Sequence, residues 1–195
     1  MRLLNPLGGR RGTTPIALIF VIGVVLLTGC ASAPPPPAKP LDACAIFQER
    51  PSWYRAAKRA EQRWGTPIGI QLAIIQAESS FRHDARPPGR VSSAFGYPQA
   101  IDGTWEWYRE QTGHRRAKRT NFSHAVDFVG WYTDVTERTL GIPKNDGYRQ
   151  YLAYHEGHRG FQRGTYRQKA WLMRVARRVD RQAQTYAMQL RGCRR

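Results

Sequence analysis

The chain has 195 residues with 31 Lys+Arg against 14 Asp+Glu, a formal net charge of +17, and that length holds one domain of ordinary size, or two only if both are small. An apolar fraction of 41%, with 11% aromatic residues, supports a packed core and excludes wholesale disorder. Aperiodic Gly and Pro exclude collagen-like and solenoid architectures, and three cysteines are too few for a disulfide-dense miniprotein or a four-cysteine zinc module.

Arg2, Arg10 and Arg11 form a basic leader without an acidic residue, and an almost purely apolar run of 13 residues follows from Pro15 to Leu27. A membrane-spanning helix needs roughly 20. A short apolar run behind a basic leader reads as a secretory signal. At its end Leu27-Thr28-Gly29-Cys30 resembles the bacterial lipobox, in which the cysteine becomes the lipidated first residue. An ordinary signal peptide that happens to carry a cysteine, or an uncleaved anchor, is the alternative. On the lipobox reading residues 1–29 are the signal peptide, and Cys30 is lipidated. Ala31, rather than Asp, next to it points to the periplasmic face of the outer membrane by the lipoprotein sorting rule. Residues 30–40 contain Pro34-Pro35-Pro36-Pro37 and read as a semi-rigid polyproline tether. Loss of the leader leaves a charge of +14. Such a surface suits anionic lipid, acidic glycan or nucleic acid, and export argues against nucleic acid as a partner.

Residues 41–195 read as one all-α domain. Ser52 is placed to cap a helix ending at Trp64, with Gly65 as its stop. Thr66 is the expected cap of the next helix, Pro67 to Ser79. Ile68, Ile70, Leu72, Ala73, Ile74, Ile75 and Ala77 cover nearly every face of that helix, so it is expected at the centre. Residues 82–98 lack helical periodicity and read as a long loop. Thr104 is a candidate cap for a helix ending near Gly113. Ser123 to Leu140 forms the next. Asn145 or Asp146 starts a short helix reaching Tyr154. The last runs from about Tyr166 to Leu190, with Leu172, Val175, Val179, Ala183, Tyr186 and Leu190 on one stripe and Arg174, Arg177, Arg178 and Arg181 outside it. That basic face is either solvated or suited to a membrane surface.

Glu78 is the residue that this pattern leaves to be explained. It lies in the last turn of the most apolar helix, where burial and the negative end of the helix dipole both raise a carboxyl pKa. A protonated carboxyl near neutrality is the general acid that glycosidic cleavage requires. A solvated Glu78, or one paired with Arg82, is the bland alternative.

The surrounding residues carry a resemblance. Ala77-Glu78-Ser79-Ser80-Phe81 resembles the Glu-Ser-x-Phe signature of soluble-type lytic transglycosylases, relatives of goose-type lysozyme. Ala94-Phe95-Gly96-Tyr97-Pro98-Gln99 is similar to the family's Ala-x-Gly-Leu-Met-Gln in its Ala, Gly and Gln. Ala153-Tyr154-His155-Glu156-Gly157 resembles its Ala-Tyr-Asn-Ala-Gly motif. The stretches Arg50 to Tyr54 and Tyr154 to Gly157 resemble the lipoprotein branch. The family implies an all-α, lysozyme-like fold and cleavage of the bond between N-acetylmuramic acid and N-acetylglucosamine in peptidoglycan. The product is a 1,6-anhydro sugar. Glu78 is implied as sole acid and base, with Ser79, Gln99, Tyr154 and His155 at the substrate. Ser79 either supports Glu78 or bonds its own backbone, and Gln99 either bonds sugar or fixes its loop. Tyr97-Pro98 replaces Leu-Met and His155 replaces Asn, so subsite contacts are expected to differ.

Ordinary glycosidases need two carboxylates. Asp84, Asp102 and Asp127 are candidates for a second, each equally a cap or surface charge. Phe81, Phe95, Tyr97, Trp105, Trp107 and Trp131 either stack on sugar or fill the core. His155 and His158 are spaced one short of the zinc-binding His-Glu-x-x-His pattern, and neither metal nor cofactor is expected. Lipidation of Cys30 leaves Cys44 and Cys193 as an even pair in an oxidising compartment, so a disulfide is expected. Two different readings compete with the transglycosylase: a lysozyme-type hydrolase, and a non-catalytic peptidoglycan-binding lipoprotein. In all three the domain is expected to be monomeric.

Overall fold

The computed structural model describes residues 34–193; Cys30 and the apolar leader lie outside the described residues. Seven α-helices follow in chain order: α1 Ala43–Glu49, α2 Pro51–Trp64, α3 Ile68–Ser79, α4 Asp102–Thr112, α5 Phe122–Leu140, α6 Gly147–Arg163 and α7 Ala170–Gly192. The described residues contain no strand, only an isolated bridge between Phe95 and Ala100. The all-α expectation holds.

The helix α3 is the hub. Ile68, Ile70, Leu72, Ala73, Ile74 and Ile75 are all buried on it, and it packs on α7, α5 and α2. Even the polar Gln71 on it is buried, its amide donating to the Ala57 and Thr66 carbonyls. A Cβ on Gly69 would stand 2.5 Å from the Ala183 carbonyl oxygen. Glycine at this position therefore lets α3 and α7 cross in close contact. A second layer forms where α2 lies along α5 and α6 along α7. Between α2 and α5, Trp53 stacks on Phe122 at 3.8 Å between ring centroids.

Three expected caps are corrected. α2 starts at Pro51 with Arg50 as its cap residue, because proline in the first turn sacrifices no hydrogen bond and presets φ. Ser52 is already inside the helix. Thr66 does not cap α3, which begins at Ile68 after Pro67. Its hydroxyl is buried and lies 2.6 Å from that of Thr133 on α5. Thr104 likewise sits inside α4, which Ile101 precedes. α5 begins one residue before Ser123, with Asn121 capping the His124 amide. α6 is capped by Asp146 but continues past Tyr154 to Arg163, through a break at Gly157. The last helix begins at Ala170, after a 3-10 turn over Thr165–Gln168. Leu172, Val179, Ala183 and Tyr186 are buried on α7 as the stripe requires, and Arg174, Arg177, Arg178 and Arg181 are exposed.

The proline-rich segment is docked over part of its length. The Ala38 amide donates to Glu49, and Arg50 donates to the Pro35 carbonyl. The Tyr186 hydroxyl on α7 donates to the Pro40 carbonyl. Beside these contacts Cys44 and Cys193 form a disulfide with a Cα–Cα distance of 5.6 Å. It closes a loop spanning 149 positions. In the chain-entropy account such a crosslink stabilises by up to about 5 kcal/mol. We therefore expect the Cys44→Ser/Cys193→Ser protein to lose about 2–5 kcal/mol of unfolding free energy. Urea unfolding of both proteins, with and without reductant, reads this directly; coincident midpoints would contradict it.

Candidate active site

The end of α3 sets the site. Ser80 and Phe81 follow Glu78 in left-handed conformations, with φ of 50° and 59°. A bulky residue is costly there. Phe81 is held by complete burial and by its contact with Trp53 at 5.9 Å. This turn stops α3 one residue after Glu78 and sends the chain away, so the carboxyl is left facing a cavity.

The cavity measures about 360 Å³. Its walls come from the 92–101 loop, from Thr104 of α4, from Phe128 and Tyr132 of α5, and from Tyr154 to Gly157 of α6. Part of the Glu78 side chain opens to this space, while its Oε1 is shut off from solvent and has no hydrogen-bond partner. Burial pushes the carboxyl up from 4.5 to about 7, against a smaller opposite pull from the Tyr151 hydrogen bond. Arg82 donates to the Ser79 carbonyl instead of pairing with Glu78. The bland alternative of a solvated or Arg-paired Glu78 is therefore not what this geometry contains.

The other sequence candidates separate. Gln99, Tyr154 and His155 line the cavity with Glu78. Ser79 does not, because its buried hydroxyl donates to the Ile75 carbonyl 3.0 Å away. Gln99 is itself left-handed, with φ of 47°. Its amide nitrogen donates to the carbonyls of Ala85 at 2.8 Å and Gly96 at 2.9 Å, pinning the loop. Gly96, at φ 73°, lies where a Cβ would come within 2.5 Å of the Arg119 carbonyl oxygen. Tyr154 donates to the Pro98 carbonyl at 2.6 Å, so α6 holds the same loop from the far side. Burial, then the Glu78 charge, drives the Tyr154 hydroxyl well above its ordinary pKa, and it stays protonated.

Asp84, Asp102 and Asp127 do not reach the cavity. Asp84 is exposed. Asp102 pairs with Arg119 at 2.7 Å. Asp127 accepts from Trp64 at 2.9 Å and Tyr108 at 2.7 Å, bracing α2 and α4 on α5. Of the six aromatics, Phe81, Tyr97, Trp105 and Trp131 are core. Phe95 lies under the Arg86 guanidinium, 4.1 Å from it. Trp107 is partly exposed but packs edge-on against Trp131 at 4.7 Å. None of the six lines this cavity; its aromatic walls are Phe128, Tyr132 and Tyr154.

A carboxylate in the wall was not among the sequence candidates. The Glu156 side chain is 3% exposed and pairs with Lys169 at 2.7 Å. Thr165 donates to its other oxygen, and His155 Nδ1 stands 3.0 Å from the first. Burial opposes its charge, but the hydrogen bonds from Lys169, Thr165 and His155 outweigh burial and hold the carboxyl at about 2. With both oxygens engaged, Glu156 is a poor proton acceptor and a good brace. It ties α6 to α7 and orients His155. Gly157 follows at φ 71° and ψ 159°, a conformation that is essentially glycine-only. It bends α6 at the cavity wall. The spacing of Tyr151, Tyr154 and His155, three and four apart, is the one sequence signal that would have put Tyr151 beside the site.

The expected outcome for Glu156→Gln is a loss of about 1–3 kcal/mol, because Lys169 is left facing a neutral group. Glu156 binds its proton less tightly folded than unfolded. Its stabilising contribution is therefore complete above about 4.5 and lost as pH falls toward about 2. Acid unfolding curves of the two proteins should converge at the low end; parallel curves would exclude this assignment.

A family model described as the transglycosylase SLT domain matches residues 18–193. No curated protein and no solved structure matches the chain.

Proposed function

The chain belongs to the transglycosylase SLT domain family, and on that premise we propose that Glu78 alone serves as acid and base in cutting peptidoglycan glycan strands. The family consists of lytic transglycosylases of lysozyme-like all-α fold that act on peptidoglycan. The observation that carries the finer reading is the buried Glu78 carboxyl, with its Oε1 unpartnered, raised to about 7 and open to a cavity.

In the proposed reaction protonated Glu78 gives its proton to the oxygen joining N-acetylmuramic acid to N-acetylglucosamine. The C1–O bond breaks, and the acetamido oxygen of the muramic acid stabilises the electron-poor C1. The Glu78 carboxylate then takes the proton of the same sugar's C6 hydroxyl as that oxygen bonds to C1. The products are a 1,6-anhydro-muramyl end and a free hydroxyl on the N-acetylglucosamine. Glu78 ends protonated, and no water is consumed. Gln99 and Tyr154 hold the loop that faces Glu78, and His155 contacts the sugar. Ser79 enters only through the backbone of α3. The fully engaged Glu156 favours this one-carboxylate scheme over a lysozyme-type hydrolase, which needs a second carboxylate with a free oxygen.

Glu78→Gln should fold normally, since an amide tolerates the apolar setting, and should lose about 100- to 10,000-fold in turnover. The assay is release of 1,6-anhydromuropeptides from sacculi, read by mass spectrometry. Products heavier by one water would move the reading to the hydrolase, and near-normal turnover by the variant would end it. Because the acid must be protonated, kcat/KM is expected to fall about tenfold per unit above about pH 7.

The reading extends to location. We propose that Cys30 carries a lipid, and that the monomeric domain works from the periplasmic face of the outer membrane. The support is the basic leader, the apolar run and Leu27-Thr28-Gly29-Cys30. Cys30→Ser should leave a precursor or a soluble periplasmic protein. Unchanged membrane partition together with unchanged acyl labelling would refute it.

A further inference from the structure

A groove of about 400 Å³ lies where α1, the start of α2 and the end of α7 meet. Phe47, Pro51, Tyr54 and Leu190 line it, and the Cys44–Cys193 disulfide forms one wall. It shares no lining residue with the cavity at Glu78. Arg55 is the charged residue of the lining. Arg59 stands one turn further along α2, and both arginines are exposed. The carboxylates of α1 and α2, Glu49 and Glu61, pair with Arg50 and Lys58. They leave Arg55 and Arg59 without a counter-charge on either helix.

What meets this groove follows from where the incoming chain joins the domain. Pro37 is buried, the Ala38 amide donates to Glu49, and the Pro35 carbonyl accepts from Arg50 at 3.3 Å. Arg50 is the neighbour of Pro51 in the groove wall. The proline-rich segment is thus laid on the domain from Pro35 onward and does not hold it at a distance. Four residue steps separate Pro34 from Cys30, and four steps span at most about 14 Å. A lipid on Cys30 therefore keeps the groove close to a bilayer surface. Apolar surface rimmed by basic side chains is what seats in the interfacial zone of an anionic leaflet. Tyrosine suits the headgroup level, and a guanidinium grips phosphate through two N–H groups.

We propose that the groove is a membrane-docking surface for an anionic phospholipid leaflet, with Phe47, Pro51 and Leu190 against the acyl chains and Arg55 and Arg59 on headgroup phosphates. The proposal rests on the reading of Cys30 as the lipid-bearing residue. It gives the anchored domain a fixed orientation on the bilayer, and the contact uses none of the walls of the Glu78 cavity.

The test uses the mature chain with Cys30→Ser, exported behind a cleavable leader without a lipobox, so that no acyl anchor contributes. Circular dichroism and an intact disulfide establish that each variant is folded. Co-sedimentation is measured with vesicles of equimolar phosphatidylglycerol and phosphatidylcholine, and with phosphatidylcholine alone. Wild type should bind the anionic vesicles more tightly. Arg55→Gln/Arg59→Gln should bind them about thirtyfold less tightly, about fivefold for each arginine. Arg174→Gln/Arg177→Gln removes the same charge from α7 at least about 24 Å along the helix from Cys193. That is beyond the Debye length of about 10 Å, so this control should stay within about twofold of wild type. Gln48 is an exposed residue of the lining, and Gln48→Trp should tighten binding to the anionic vesicles several-fold, because an indole partitions to the interface. Equal losses in the two arginine pairs would mean diffuse attraction of a basic protein and would overturn the docking surface. So would wild type that shows no preference for the anionic vesicles. A Gln48→Trp protein that binds vesicles as wild type does but sediments as a dimer would also overturn it, and would assign the groove to a second copy of this chain. Because the protein tested carries no lipid, the result is independent of the acyl labelling that tests Cys30.

Discussion

Withholding water from one carboxyl group is the constraint on which the rest of the structure depends. Raising Glu78 from 4.5 to about 7 corresponds to roughly 3 kcal/mol of preference for the neutral form. That preference requires that protein rather than water surround most of the carboxyl. The helix can end in such surroundings only if it is itself apolar all round and enclosed by α2, α5 and α7. The central position of α3 and the acidity of Glu78 are therefore two consequences of one sequence property. The left-handed turn at Ser80 and Phe81 completes it. It ends the helix one residue past Glu78, and full burial of Phe81 supplies the packing that offsets the backbone cost.

Two glutamates in one cavity wall then take opposite states. Glu78 has an oxygen without a partner and is pushed toward the neutral acid. Glu156 has Lys169, Thr165 and His155 on its oxygens and is held ionised. Environments that push two carboxyls apart are the usual sign of divided roles. Here the division is between chemistry and support. An ionised carboxylate whose lone pairs are engaged has little left with which to activate water, but it fixes the position of α6 on α7 and the ring of His155. The loop across the cavity is fixed in a comparable way. Gln99 and Tyr154 spend their hydrogen bonds on backbone carbonyls of Ala85, Gly96 and Pro98.

How much of this was legible in the sequence follows from the range of the interactions. The helices and the central place of α3 rest on local periodicity, and those readings hold. Caps were less legible. Ser52 and Thr66 have the right chemistry, but Pro51 starts α2 earlier and Thr66 spends its hydroxyl on Thr133, a residue far along the chain. The helix expected to reach Tyr154 runs on to Arg163, bent at Gly157. The aromatic residues were ambiguous because burial of a ring depends on neighbours the sequence does not specify. Trp105 and Trp131 went to the core, while Trp171 stayed at a cavity edge. Glu156 stood inside a recognised motif, but its partner Lys169 lies across a turn and on the approach to another helix.

The last helix joins these separate demands. Its first half supplies Trp171, Val175 and Arg178 to a cavity of about 610 Å³ that Glu78 and His155 also line. Its second half holds the incoming chain, through Tyr186 on Pro40 and Gln189 on the Ala43 amide at 2.8 Å. The disulfide clamps its end to α1. At 1.5 Å per residue, Cys193 lies about 22 Å along the helix from Arg178. That is too far for the crosslink to act on the cavity directly. Its influence passes through the register of α7 on α3, which the close approach of Gly69 to Ala183 fixes between the two ends. A helix locked there cannot slide without a backbone clash. The part of α7 near Glu78 therefore keeps its register on α3.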